Sequence, residues 1–182
     1  MIPRPNLILI GFMATGKSAI GRRCAAALRF AYCDTDRLVA DRAGLTIPEI
    51  FASRGEEAFR ELEAAVIRDL AARARLVVST GGGAPLRAEN ARALREAGVV
   101  ILLRTEPEEI LRRAGDCATR PLLAGAKDPL ERVRSLLAER EPAYMRIADA
   151  VVDTTDLPRH EAVRRVLAAY REASRRRLGA SP

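Results

Sequence analysis

The segment Gly11-Phe12-Met13-Ala14-Thr15-Gly16-Lys17-Ser18 follows an apolar run, Leu7 to Ile10. It opens a stretch with apolar residues at helical spacing: Ile20, Cys24, Ala27 and Leu28. This GxxxxGK[ST] pattern between a strand and a helix constrains the chain more than any other feature. The glycines let the backbone turn tightly, so that successive N–H groups face inward around anionic oxygens. The helix that begins near Lys17 adds the positive end of its dipole. Lys17 is expected to reach the outer phosphates of a nucleotide as a compact point charge, and Ser18 to offer its hydroxyl to Mg²⁺. The chain uses Arg almost everywhere, and its only lysines are Lys17 and Lys127. A lysine kept in this loop suits a place that a planar guanidinium would not fill in the same way.

Beyond the loop, short aliphatic runs alternate with helical stretches. Strands are expected at 6–10, 30–33, 76–79, 99–103 and 150–153. Helices are expected at 17–29, 35–43, 47–74 with a break near Gly55, 87–97, 107–114, 128–140 and 159–177. The strands are continuous apolar runs rather than alternating ones, which marks a parallel sheet covered on both faces. The expected fold is α/β: a three-layer α/β/α architecture of the P-loop NTPase type with a five-stranded parallel sheet. One domain spans residues 1–182. Residues 114–126, punctuated by Gly and Pro without clear periodicity, are expected to form a mobile lid. Residues 175–182 carry three consecutive arginines and then a Gly-Ala-Ser-Pro end, and are expected to fray.

Composition narrows the class of partner. With 48% hydrophobic and 30% charged residues the chain reads as a globular domain, and with 4% aromatics and no Trp its core must be aliphatic. No apolar run reaches the roughly 18 residues of a membrane span. The run at 7–10 is too short for a signal-peptide core, so a cytoplasmic location is expected. Cys24, Cys33 and Cys117 lack metal or CxxC spacing and read as reduced thiols. The net charge of +7 invites a nucleic-acid reading. Its arginines, however, are scattered among Glu and Asp along helices, as on a solvated face. No nucleic-acid partner, no membrane contact and a monomeric state are expected.

A second group of residues concerns the acceptor of the phosphoryl group. Asp34-Thr35-Asp36 falls at the C-terminal end of the second strand, the edge where open α/β sheets bind ligands. One carboxylate can orient the metal through water and the other can hold an acceptor hydroxyl. The same residues also suit a helix N-cap with an acidic first turn. Further along come Phe59-Arg60, then Thr80-Gly81-Gly82-Gly83 after a strand, then Arg120-Pro121-Leu122, and Arg140-Glu141-Pro142-Ala143-Tyr144.

In this order and spacing these segments resemble the shikimate kinase family, from Leu7 to about Leu167. The resemblance implies transfer of the ATP γ-phosphate to the 3-hydroxyl of shikimate, a step toward the aromatic amino acids. It implies that Gly11, Ala14, Thr15, Gly16, Lys17, Ser18 and Ala19 take the phosphates, with Ser18 and Asp34 serving Mg²⁺. Asp36 would hold the acceptor hydroxyl, Arg60 and Arg140 the carboxylate, and Gly81, Gly82 and Gly83 the wall of the acceptor pocket. Arg120 corresponds to the lid arginine and joins Lys17 and Asp36 as a catalytic residue. Arg113 and Pro158 correspond to the two sides of the adenine site. Ala14, Thr15, Ala19 and Ala143 depart from the common family residues without removing a needed group. Another small P-loop kinase, acting on gluconate or a nucleoside monophosphate, shares much of this pattern, since two arginines alone suit either carboxylate. A nucleotide-dependent switch or nucleic-acid-binding protein is the non-enzymatic alternative.

Overall fold

A computed structural model of the chain describes residues 5–115, 122, 123 and 125–179. Five parallel strands form one sheet: β1 (Asn6–Ile10), β2 (Ala31–Asp34), β3 (Leu76–Ser79), β4 (Gly98–Arg104) and β5 (Ala150–Asp153). Their order is β2-β3-β1-β4-β5, with β1 in the centre. Leu7 pairs with Val77 on one side and Val99 on the other.

The alternation of side chains along β1 divides the core in two. Ile8 and Ile10 face a cluster built on α2 (Thr35–Ala43), α3 (Ile47–Ala71), α4 (Ala88–Ala97) and α6 (Pro129–Ile147). Leu7 and Leu9 face α1 (Lys17–Leu28) and α7 (Arg159–Gly179). Both clusters are dominated by Leu, Ile, Val and Ala, as the scarcity of aromatics requires. A third, smaller cluster packs Phe12 of the phosphate loop against Ile110 of α5 (Pro107–Ala114) and against Val133 and Leu136 of α6. The arrangement is the expected three-layer α/β/α fold.

Local signals set most boundaries. Thr46 and Glu49 form a reciprocal capping box at the start of α3, with Pro48 in its first turn, and Gly55 breaks the helix at φ 82°. Two expectations are corrected. Helix α6 does not end at Arg140 but continues through Pro142 to Ile147. An interior proline costs about 3 kcal/mol. Burial of Tyr144 and Ile147 beyond it recovers roughly 1.5–3 kcal/mol each, so the helix gains by continuing. Helix α7 likewise runs into the segment expected to fray, to Gly179. Arg177 donates to both Asp149 oxygens, at 2.9 and 2.8 Å, and to the Arg95 carbonyl at 2.8 Å. Asp149 in turn accepts from the Val100 N–H at 2.7 Å, which fastens the helix end to β4.

A short 3₁₀ turn at Ala84–Leu86, absent from the sequence expectation, closes the loop after β3. Most of the expected lid, including Arg120, lies outside the described residues, as do Cys117 and residues 180–182. No helix among the described residues is long and apolar enough to cross a membrane.

Candidate active site

The phosphate loop leaves the C-terminal end of β1 and turns directly into α1. Gly16, the residue before the helix, sits at φ 94°, a conformation that only glycine adopts without strain. Lys17 folds back over the loop. Its Nζ donates to the carbonyls of Gly11 at 2.8 Å and Phe12 at 2.6 Å. Burial pushes its ammonium down to about 8, although Asp36 and Asp34 pull it upward. Polyphosphate oxygens in the loop would give this half-buried cation a direct ion pair, which no described side chain makes with it.

Next to the loop, Ser18 Oγ donates to Asp34 Oδ2 at 2.9 Å, and the Tyr32 hydroxyl donates to the same oxygen at 3.0 Å. Asp34 also caps α2, its other oxygen accepting from the Arg37 N–H at 3.5 Å. The helix-cap reading of this residue is thus realised, and the cap leaves Asp34 Oδ2 beside the Ser18 hydroxyl at the phosphate loop. No group of three or more His, Cys, Asp or Glu side chains that could hold a metal occurs among the described residues. A hydroxyl and one carboxylate are hard oxygen donors. They suit Mg²⁺, which keeps several waters and draws other ligands from phosphate.

Asp36 stands in the first turn of α2 and faces the loop after β3. Burial raises its pKa, Asp34 adds to that, and Lys17 and Arg60 pull it back. A Cβ added at Gly81 would run into Asp36 Oδ1, so Asp36 can hold this position only against a bare glycine. The Gly81 N–H is held by Thr35 Oγ1 at 2.8 Å. Arg60 of α3 lies beneath Gly83, where a Cβ would come within 2.7 Å of its Nη1. Its guanidinium is fixed by Glu63 at 3.1 Å and by Glu56 at 3.1 and 3.3 Å.

From the opposite side, Arg140 of α6 lies over the Phe12 ring with its Cζ 5.5 Å from the ring centre. It is buried, and its Nε has no hydrogen-bond partner among the described residues. Leaving such a donor unpaired costs about 1–3 kcal/mol, a cost that an arriving anion relieves. Asp36, Arg60, Glu63, Gly81, Gly82, Gly83 and Arg140 thus all line one hollow of about 680 Å³, with Phe51 and Phe59 among its apolar walls. A small anionic molecule with a hydroxyl to present to Asp36 suits these charges.

A second hollow of about 440 Å³ opens on the other side of the loop, lined by Ala14, Thr15, Gly16, Ala19, Arg113, Thr154 and Leu157 among others. Arg113 is held by Glu109 at 2.6 Å and by the carbonyls of Thr154 at 2.6 Å and Thr155 at 2.9 Å. Pro158 is exposed, and its neighbours Leu157 and Arg159 line the hollow instead. The structure thus brings together every described residue expected at the phosphate and acceptor sites. Sequence reasoning missed Glu63, whose spacing three residues after Arg60 on a helix was the available signal. It also missed Thr154, for which no local signal exists. Several of the remaining arginines pair with carboxylates on the surface, as Arg164 and Arg165 do with Glu161 and Arg134 with Glu108.

A sequence profile of the family described as Shikimate kinase matches residues 13–171. A shikimate kinase of Caldanaerobacter subterraneus subsp. tengcongensis is 45% identical over 91% of this chain and 95% of its own length. Among solved structures, shikimate kinase from Acinetobacter baumannii in complex with shikimate superposes with a TM-score of 0.85 at 35% identity, covering 90% of this chain and 91% of that one. A gluconokinase from Sinorhizobium meliloti reaches a TM-score of 0.65 at 21% identity over 97% of this chain and 98% of its own, a likeness of fold alone.

Proposed function

The chain belongs to the shikimate kinase family, and we propose that it transfers the γ-phosphoryl group of ATP to the 3-hydroxyl of shikimate, giving shikimate 3-phosphate and ADP. The observation that carries this reading is the convergence of Asp36, Arg60 and Arg140 in one hollow at the mouth of the phosphate loop. The paired guanidiniums suit the shikimate carboxylate, which a planar fork can grip through two parallel hydrogen bonds. Asp36, on the loop side of the hollow, receives the hydroxyl.

Phosphoryl transfer depends on alignment and charge neutralisation more than on covalent chemistry. The loop N–H groups and Lys17 hold the β- and γ-phosphates. Asp36 orients the acceptor hydroxyl toward the γ-phosphorus and takes its proton late in the step. Its raised pKa makes it a better proton acceptor than an exposed carboxylate. Ser18, with Asp34 acting through water, would hold Mg²⁺, which would supply neutralisation of phosphate charge when bound. Glu63 and Glu56 keep Arg60 aimed at Gly83, where the substrate carboxylate would lie. On the resemblance, Arg120 closes over the phosphates from the lid at 114–126, and water is excluded while it does so. The same resemblance assigns Arg113 to the adenine, with Pro158 opposite, in an enzyme that works as a cytoplasmic monomer.

ADP release from ATP and Mg²⁺ with shikimate, gluconate, AMP or water alone tests the reading. Shikimate alone should stimulate release. Equal stimulation by gluconate, or release with water alone, would overturn the assignment of the acceptor.

A further inference from the structure

Thr154 follows the last residue of β5, and its side chain is turned into the protein, 1% exposed. Its backbone N–H already continues the sheet by donating to the Arg104 carbonyl at 2.8 Å. Its hydroxyl meets groups from three separate segments. Thr105 Oγ1 lies 2.8 Å away and is itself buried. The carbonyl of Thr15, inside the phosphate loop, lies at 3.3 Å, and that of Arg104 at 3.1 Å. Arg113 Nη1 donates to it at 3.3 Å, while Arg113 Nη2 takes the Thr154 carbonyl at 2.6 Å.

A buried hydroxyl is costly unless it is paired, and valine would fill the same shape without that cost. The partners explain the hydroxyl. A threonine hydroxyl has one proton to donate and two lone pairs to accept with. Here it can donate to a loop carbonyl while accepting from Thr105 and Arg113. It is the one side chain whose described bonds reach both the phosphate loop and the arginine of the second hollow.

We propose that Thr154, backed by Thr105, is a positioning residue that holds the phosphate loop and Arg113 at a fixed separation, so that the polyphosphate and the base of one nucleotide are gripped together. The inference rests on the reading of the second hollow as the nucleoside site. It concerns a residue that need not touch the nucleotide's reacting atoms.

The test uses Thr154→Val and Thr154→Ser in the full chain, with ATP binding measured by calorimetry alongside steady-state kinetics. Loss of one buried, partly charged hydrogen-bond junction predicts about a tenfold rise in Kd and KM for ATP in T154V. The change in kcat and in KM for shikimate should stay within about twofold. Inorganic tripolyphosphate engages the phosphate loop without a base, so its Ki should move by less than about twofold. T154S should return ATP binding close to that of the parent. Unchanged ATP affinity in T154V would overturn the proposal. So would a tripolyphosphate Ki that rises in step with the ATP Kd, or a T154S variant as weak as T154V. Should T154V fail to fold, Thr105→Val asks the same question from the other side of the pair. It predicts about a threefold rise in ATP Kd, and no rise would overturn the proposal. Because calorimetry reads ATP binding without turnover, absence of shikimate-dependent ADP release in the parent enzyme would count against the acceptor reading alone.

Discussion

The two halves of the site are built in opposite ways. The phosphate cradle is one continuous stretch, Gly11 to Ser18, whose working groups are mostly backbone N–H dipoles and a single lysine. The acceptor hollow is assembled from α2, α3, the loop after β3 and α6, and its working groups are side-chain charges. In the cradle Lys17 bonds to backbone carbonyls, with Asp36 and Asp34 acting on it only through space. In the hollow Arg60 is directly paired with Glu56 and Glu63, and Lys17 and Arg60 act on Asp36, whereas Arg140 makes no ion pair among the described residues. A cation bonded only to backbone serves the transition state. Pre-paired charges serve selection and orientation of the acceptor. Changes in the cradle should therefore abolish turnover, and changes in the hollow should weaken saturation by shikimate.

The largest effect is expected at Lys17. Replacing it with alanine removes the compact cation from the transferring phosphoryl group and should lower kcat on the order of 10³-fold. Steady-state turnover at saturating shikimate checks this. Retention of activity within about tenfold would mean that the cradle works through its N–H groups alone.

Arg60→Ala should fall on the other side of the divide. It removes a charge-assisted pair to the carboxylate and leaves Glu63 buried without its partner. KM for shikimate should rise about 100-fold, with KM for ATP within about twofold. A comparable rise in KM for ATP would erase the distinction between the halves.

The same contrast governs what the sequence discloses. The cradle is legible because its eight-residue pattern is contiguous and its flanking strand and helix are strongly apolar-periodic. The five strands are legible for the same local reason. The hollow is not, because nothing between positions 36 and 140 states that these residues meet; the family resemblance supplied that meeting. Pro142 reads locally as a stop, yet burial of Tyr144 and Ile147 carries α6 past it. Arg175-Arg176-Arg177 read locally as a solvated tail, yet Arg177 finds Asp149, 28 positions earlier in the chain. Thr154 acts only through partners at 15, 105 and 113, so no local pattern could mark it.

A smaller effect should separate the halves without removing any charge. Gly81→Ala puts a methyl group against Asp36 Oδ1. Crowding of this kind costs roughly 1–3 kcal/mol, and Asp36 can relieve it by turning away from the acceptor. KM for shikimate should rise about tenfold while thermal stability and KM for ATP change little. An unchanged shikimate KM would show that Asp36 does not need its present position against Gly81.

The smallest expected effect is a difference in pH dependence between the two substrates. Lys17, pushed down to about 8 in the free enzyme, loses its charge as pH rises through that value. ATP should then meet a neutral cradle, and kcat/KM for ATP should fall about tenfold by one pH unit above the midpoint. Once ATP is bound, the phosphate charges favour the ammonium, so kcat should stay level over the same range. Asp36 moves the other way. Its pKa is raised, so it takes up a proton as pH falls toward the acidic range and stops accepting one from the hydroxyl. The value of kcat/KM for shikimate should fall on the acid side, starting at a higher pH than an exposed carboxylate would allow. Opposite limbs for the two substrates would place the alkaline loss in the cradle and the acid loss in the hollow. Should kcat/KM for ATP stay flat through about pH 9, Lys17 keeps its charge in the empty loop, and its bonds to the Gly11 and Phe12 carbonyls outweigh the cost of burying it.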